Sequence, residues 1–136
     1  MSAETGLVER WRTLATCYNE VACHLDRELQ AKHGLTMSEF EALDRLVGSD
    51  GPACEKRRMQ DLAAEMYLSQ SALSRTVARL EKHGLVTRGL CESDRRGVFV
   101  NVTEAGLKLH AEARETHVAI LAEHLTPVPA PATATA

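Results

Sequence analysis

Between residues 7 and 32 the apolar side chains Leu7, Trp11, Leu14, Tyr18, Val21 and Leu25 recur in alternating steps of four and three. That spacing keeps them on one stripe and predicts a long amphipathic helix over 7–32 with a heptad-like seam. His33-Gly34 stops it, because glycine suits the left-handed cap. Thr36 with Glu39 three residues on forms a capping box, flanked by Leu35 and Phe40 as a hydrophobic staple. A second helix then runs to about Val47 through Phe40, Leu43 and Leu46. Gly48-Ser49-Asp50-Gly51-Pro52 is a loop signal. A short helix near Met59 to Tyr67 turns Leu62, Ala63 and Met66 inward. Ser69 caps the next helix, which runs to His83, buries Leu73, Val77 and Leu80, and stops at Gly84; Leu68 and Leu73 are its staple.

The period then changes. Leu85 to Leu90 reads as a strand, Glu92 to Gly97 as a polar turn, and the alternating Val98, Val100 and Val102 as a second strand over 98–102. Thr103 caps a last helix, with Val102 and Leu107 as staple. Leu107, Ala111, Val118, Leu121 and Leu125 follow a four-three seam broken by Arg114. Pro127 ends that helix, and 127–136 reads as a disordered tail. The fold class is mainly α with a small β-hairpin wing: a winged helix-turn-helix with terminal dimerisation helices. The expected organisation is an N-terminal dimerisation helix (1–34), a winged helix-turn-helix lobe (35–102), a C-terminal dimerisation helix (103–126) and the tail (127–136).

Composition narrows the picture. A chain of 136 residues suits one domain, and with aromatics at 4% aliphatic side chains must build the core. No apolar run approaches the roughly 18 residues of a membrane span, and the N-terminus lacks a signal-peptide pattern. A cytoplasmic location and no membrane partner are therefore expected. The net charge of −3 argues at first against nucleic acid. Its distribution reverses the argument: Lys56 to Arg96 holds nine Lys/Arg and five Asp/Glu, a local +4, and the remainder is −7. A basic middle between acidic ends fits a DNA footprint on a soluble body.

The helix from Ser69 carries the chemistry. At 100° per residue, Ser71, Arg75, Ala78 and Lys82 lie opposite the buried Leu73, Val77 and Leu80, with Ser74 and Arg79 flanking them. Small residues let a helix enter the major groove, and an arginine such as Arg75 can bond guanine O6 and N7 together. Ser69, Gln70 and Ser71 sit at the helix N-terminus, where free N–H groups favour a phosphate. Arg58, from the basic run before the short helix, joins this set. At the hairpin tip, Arg95 and Arg96 suit a narrow minor groove, with Asp94 holding a guanidinium in place.

The segments Leu35-Thr36, Asp61-Leu62-Ala63, Leu68 to Arg75, Arg79 to Val86, Asp94-Arg95-Arg96-Gly97 and Thr103-Glu104-Ala105-Gly106 together resemble the multiple-antibiotic-resistance regulator (MarR) family, over about residues 7 to 125. The resemblance implies an obligate homodimer on a pseudo-palindromic double-stranded operator. The helix from Ser69 would lie in the major groove and Arg96 in the minor groove, steadied by Asp94. The outer helices would make the dimer, through Leu7, Trp11, Leu14 and Tyr18 from the first and Val118, Leu121 and Leu125 from the last. A small-molecule effector pocket would lie between those helices and the DNA-binding lobe, with no residues assigned to it. The chain departs from the family at Pro127-Val128-Pro129-Ala130-Pro131, where a further interface helix usually follows. The function expected is that of a dimeric, sequence-specific repressor relieved by an effector. The alternative is a winged-helix protein–protein interaction module without DNA binding.

Other features weigh less. His110, His117 and His124 recur every seven residues, about 10 Å apart along a helix, too far to share one metal, and are expected at an interface or in solvent. The cysteines Cys17, Cys23, Cys54 and Cys91 have no C-x-x-C spacing, which argues against a zinc ribbon. Cys17 and Cys23 read as buried packing residues. Cations near Cys54 and Cys91 can activate a thiol, but inert thiols are the simpler reading. There is no Gly-rich phosphate loop and no catalytic motif, so neither an enzyme nor a cofactor is expected.

Overall fold

The computed structural model describes residues 2–48, 58–91 and 94–125, with backbone only for 90, 91 and 94–97. The elements run α1 (Ala3–His33), α2 (Met37–Val47), α3 (Met59–Glu65), α4 (Gln70–Lys82), β1 (Val86–Cys91), β2 (Asp94–Val102) and α5 (Glu104–His124). The loop reading beyond Gly48, Cys54 and the tail 127–136 lie outside the described residues.

Side-chain caps fix most of the helix starts. The Thr36 hydroxyl accepts from the Glu39 N–H at 3.0 Å, and the Glu39 carboxylate accepts from the Thr36 N–H at 2.7 Å, closing the capping box. Ser69 accepts from Ala72 N–H at 3.1 Å, and Thr103 from Gly106 N–H at 3.1 Å. Ser2 caps α1, so that helix begins four residues before its first apolar seam position, Leu7. Gly34, at φ 70°, ends it in the left-handed region. At 31 residues α1 is about 46 Å long.

The core gathers one face of each helix. Leu29, Leu35, Phe40, Leu43, Leu62, Leu73, Val77, Leu80, Val86 and Val100 are fully buried. The two strands pair antiparallel from Val86↔Val102 to Leu90↔Val98, and Arg58 adds a single antiparallel bridge to Phe99.

Several sequence expectations need correction. Strand β2 starts at Asp94, not at 98, because Cys91 pairs with Asp94 and the register shifts after Leu90. The short helix stops at Glu65, leaving Met66 and Tyr67 in the turn, with Tyr67 at φ 55°. Leu107 is 48% exposed, unlike a staple residue. The inward face of α5 is Gly106, His110, Ala113 and Ile120, offset by one position from the apolar seam. His110 is buried, stacked on Phe40 with centroids 5.6 Å apart and bonded to Asp44 at 2.7 Å. His117 stacks on Phe40 at 4.6 Å and lies 3.4 Å from Glu41. Neither is a solvent histidine: both join α5 to α2 inside the chain. Cys17 and Cys23 are exposed, not buried, because the α1 residues facing the core are Val21, Leu25 and Leu29.

The approach of α5 to the lobe depends on Gly106. A Cβ there would run into the Leu85 carbonyl oxygen and come within 2.7 Å of Val102 Cγ1. Alanine would gain about 1 kcal/mol of helix propensity, but overpacking against backbone costs about 1–3 kcal/mol. Gly106→Ala is therefore expected to lose up to about 2 kcal/mol net. A lower urea midpoint at unchanged slope checks this; an unchanged midpoint would show that α5 can shift freely.

Candidate nucleic-acid interface

Helix α4 is held by its buried stripe, so the opposite stripe is fixed in orientation. Leu73, Val77 and Leu80 are fully buried, and Ser71, Arg75, Ala78 and Lys82 are all exposed on the other side. Ser69 and Gln70 are exposed at the helix start, with the Ser69 and Ser71 hydroxyls 3.3 Å apart. Ser74 is half-buried at the edge of the stripe. Thr76, on the core side, is buried and donates its hydroxyl to the Ala72 carbonyl at 3.1 Å.

The remaining basic residues divide by partner. Arg79 lies with Nε 3.6 Å from Glu39 Oε2; its side chain is half exposed whereas that of Glu39 is 4% exposed. The capping carboxylate of α2 therefore also anchors a cation on α4. Arg88 donates from Nε and Nη2 to Glu81 Oε1, at 3.1 and 2.9 Å, tying β1 to the end of α4. The guanidinium of Arg58 sits 5.6 Å from the Phe99 ring centroid, where the sheet bridge carries it toward the wing. Asp94, Arg95 and Arg96 lie in β2 at its turn end; their side chains are outside the described residues.

The structure also contains a cavity of about 580 Å³ that no single sequence motif marks. Its walls come from α1 (Leu14, Tyr18), the α3–α4 turn (Met66, Tyr67) and the outer side of α5 (Leu121, Leu125), with polar edges from α2. It lies between the long helices and the lobe that carries α4. Its residues are scattered over four elements, so only tertiary structure brings them together.

A short helix, a turn, a second helix with a buried and a free stripe, and a hairpin beside it define a winged helix-turn-helix of the DNA-binding kind. A family model described as the MarR family matches residues 33–97. The chain is 35% identical to AbsC, a MarR family transcriptional regulator from Streptomyces coelicolor, with a TM-score of 0.80 covering 99% of this chain and 87% of that one. It is 34% identical to Sco3205, a MarR family transcriptional regulator from Streptomyces coelicolor solved in complex with DNA, with a TM-score of 0.79 covering 93% and 79%. It is 27% identical over 114 residues to the HTH-type transcriptional regulator MhqR of Bacillus subtilis (strain 168), covering 83% of this chain and 74% of that protein. The chain belongs to the MarR family and is a DNA-binding transcriptional regulator. These relatives do not favour an interaction module without DNA binding. No helix among the described residues is long and apolar enough to cross a membrane.

The Arg79–Glu39 contact distinguishes two cations of α4. Arg79→Ala leaves a buried carboxylate without its cation and is expected to cost about 1 kcal/mol of stability. Lys82→Ala, which removes a solvent-facing charge, is expected to cost less than about 0.5 kcal/mol. Paired urea melts measure the difference, and equal losses would mean that the contact contributes nothing.

Proposed function

We propose that this chain is a homodimeric repressor that reads a pseudo-palindromic operator and is released by an apolar small-molecule effector. The observation that carries the reading is the free stripe of α4, Ser71, Arg75, Ala78 and Lys82, held outward by a fully buried opposite face. In this reading Ser69, Gln70, Ser71 and Ser74 contact phosphates and base edges, and Arg75 reads a guanine. Lys82, Arg79 and Arg58 add positive charge, and Arg96, steadied by Asp94 beside Arg95, enters the minor groove. Residues 35–102 form the DNA-binding lobe, and 1–34 with 103–126 form the dimer arm. The protein works in the cytoplasm and carries no catalytic function.

The dimer rests on an unmet apolar surface. Leu7, Trp11, Leu14 and Tyr18 are each 61–67% exposed on one stripe of α1, and Val118 and Leu125 on α5 are also exposed. Such a stripe on an isolated chain marks an interface, and a symmetric pair is the simplest closure. The cavity of about 580 Å³ falls in the size range of small-molecule sites. Its aliphatic and aromatic walls favour an apolar effector, and Glu41, Arg45 and His117 at its lining supply polar contacts.

Two measurements test this reading. In a salt titration on operator DNA recovered with the purified protein, Arg75→Ala is expected to cost about 1–3 kcal/mol per half-site and to relax base preference there. Arg96→Ala is expected to weaken binding strongly, and Asp94→Ala to weaken it less, although Asp94→Ala removes a negative charge near DNA. Wild-type binding by both Arg75→Ala and Arg96→Ala would refute the assignment. In sedimentation, the wild type is expected to be a dimer at micromolar concentration and Trp11→Glu a folded monomer; a stable wild-type monomer would remove the dimer.

A further inference from the structure

The seven-residue spacing of the α5 histidines keeps them from sharing one ion among themselves, but α1 supplies a different partner for the last of them. Where the end of α5 meets the middle of α1, His24 Nδ1 lies 2.8 Å from His124 Nε2. The two rings are T-shaped, with centroids 5.0 Å apart and planes at 71°. Glu123 Oε2 lies 4.0 Å from His24 Nδ1. The three donor atoms all fall within 4.8 Å of one another. His24 and His124 line a depression of about 470 Å³ together with Glu20 and Cys23, both on α1.

We propose that His24, His124 and Glu123 form a binding site for a divalent transition metal ion of the Zn²⁺ class, linking α1 to α5. Two imidazoles and one carboxylate from separate positions suit zinc and its neighbours, whereas Mg²⁺ and Ca²⁺ prefer oxygen donors alone. Around a tetrahedral zinc with bonds of about 2.0–2.1 Å, adjacent donors stand roughly 3.3 Å apart. The 2.8 Å and 4.0 Å separations bracket that value. The third separation is at most 4.8 Å, so closing the triangle takes a shift of up to roughly 1.5 Å shared between Glu123 and His124, which are both exposed. In the metal-free pair one ring nitrogen donates a hydrogen bond to the other; when the ion binds, the donor ring takes its other tautomer, its proton exchanging through solvent to the second ring nitrogen, so that both imidazoles bind neutral. A water or Glu20, one helical turn before His24, completes the shell. Arg27 also lines the depression, and its cation opposes the incoming charge. It is exposed and can turn into solvent. The site stands on these contacts alone and does not depend on the operator or the effector.

The test uses the full chain, purified with EDTA and then desalted. Titration with Zn²⁺ by calorimetry, and with Co²⁺ by visible absorption, is expected to show one ion per chain in a tetrahedral field. Zn²⁺ is expected to raise the melting temperature of the wild type. His24→Gln and His124→Gln should each weaken binding by at least about 100-fold, the upper end of what losing an outer-shell partner brings, and should abolish the thermal shift. His83→Gln, which alters an exposed histidine outside the site, should bind like the wild type. Glu123→Gln guards against loss of fold, because its side chain is 66% exposed; it should melt like the wild type without metal and still bind Zn²⁺ more weakly. Failure of the wild type to bind Zn²⁺, or wild-type affinity in both histidine variants, would overturn the proposal.

Discussion

Phe40 is the residue on which the two halves of this molecule depend. It is fully buried in α2, and two histidines of α5 stack on it, His110 and His117, seven residues apart. Asp44, one turn further along α2, accepts a hydrogen bond from His110 Nε2 at 2.7 Å, and Glu41 flanks His117. Such a joint is both apolar and polar. Ring stacking supplies area, and the carboxylates on one side fix the rotation of α5 about its own axis. A purely aliphatic contact would allow α5 to roll. Here Val118, on its outer seam, is left exposed.

The same short helix acts on its other side. Glu39, next to Phe40, closes the capping box with Thr36 and still presents its second oxygen to Arg79 of α4. Consecutive residues of α2 therefore contact the helix with the free polar stripe and the helix with the free apolar one. Arg88 and Glu81 extend the chain of contacts from α4 to the wing. The relative placement of the free polar stripe of α4 and the free apolar stripe of α5 is set by one eleven-residue element with a side-chain cap at its start.

The parts of this arrangement that are local were legible in the sequence. Thr36, Ser69 and Thr103 each cap the helix that follows them, because a cap is written within four residues. The buried stripe of α4 follows directly from the spacing of Leu73, Val77 and Leu80. What escaped reading is tertiary. The inward face of α5 consists of Gly106, His110, Ala113 and Ile120, three of them small or polar, so a hydrophobic pattern selected the neighbouring outer seam instead. Histidine reads as polar until a phenylalanine and an aspartate from another helix are known to meet it. Cys17 and Cys23 read as core only because cysteine is often buried; Cys23 lies off the Val21–Leu25–Leu29 stripe, and Cys17, four residues before Val21, extends that row beyond the buried part of α1. The pairing of Cys91 with Asp94 has no counterpart in hydrophobic alternation, since the register shift beside it breaks the period of two. The cavity was invisible because its walls are spread from Leu14 to Leu125.

The cavity and the exposed stripe are not independent surfaces. Leu14 and Tyr18 of α1 and Leu125 of α5 belong to both: they line the cavity and are more than two-fifths exposed on the outside of the same helices. The opposite wall is Met66 and Tyr67, directly before the Leu68-Ser69 entry to α4. Tyr67 holds a left-handed backbone at φ 55° and is 95% exposed. For a residue other than glycine that conformation costs of order 1–3 kcal/mol unless its surroundings enforce it. The turn that sets the start of α4 therefore carries strain at Tyr67, while Met66 and Leu68 on either side of it pack against the core. Anything that fills this space touches helices that a second copy of the chain would also touch, and the turn that leads into α4. The two surfaces are coupled by shared side chains, without any need for a signal through the buried core.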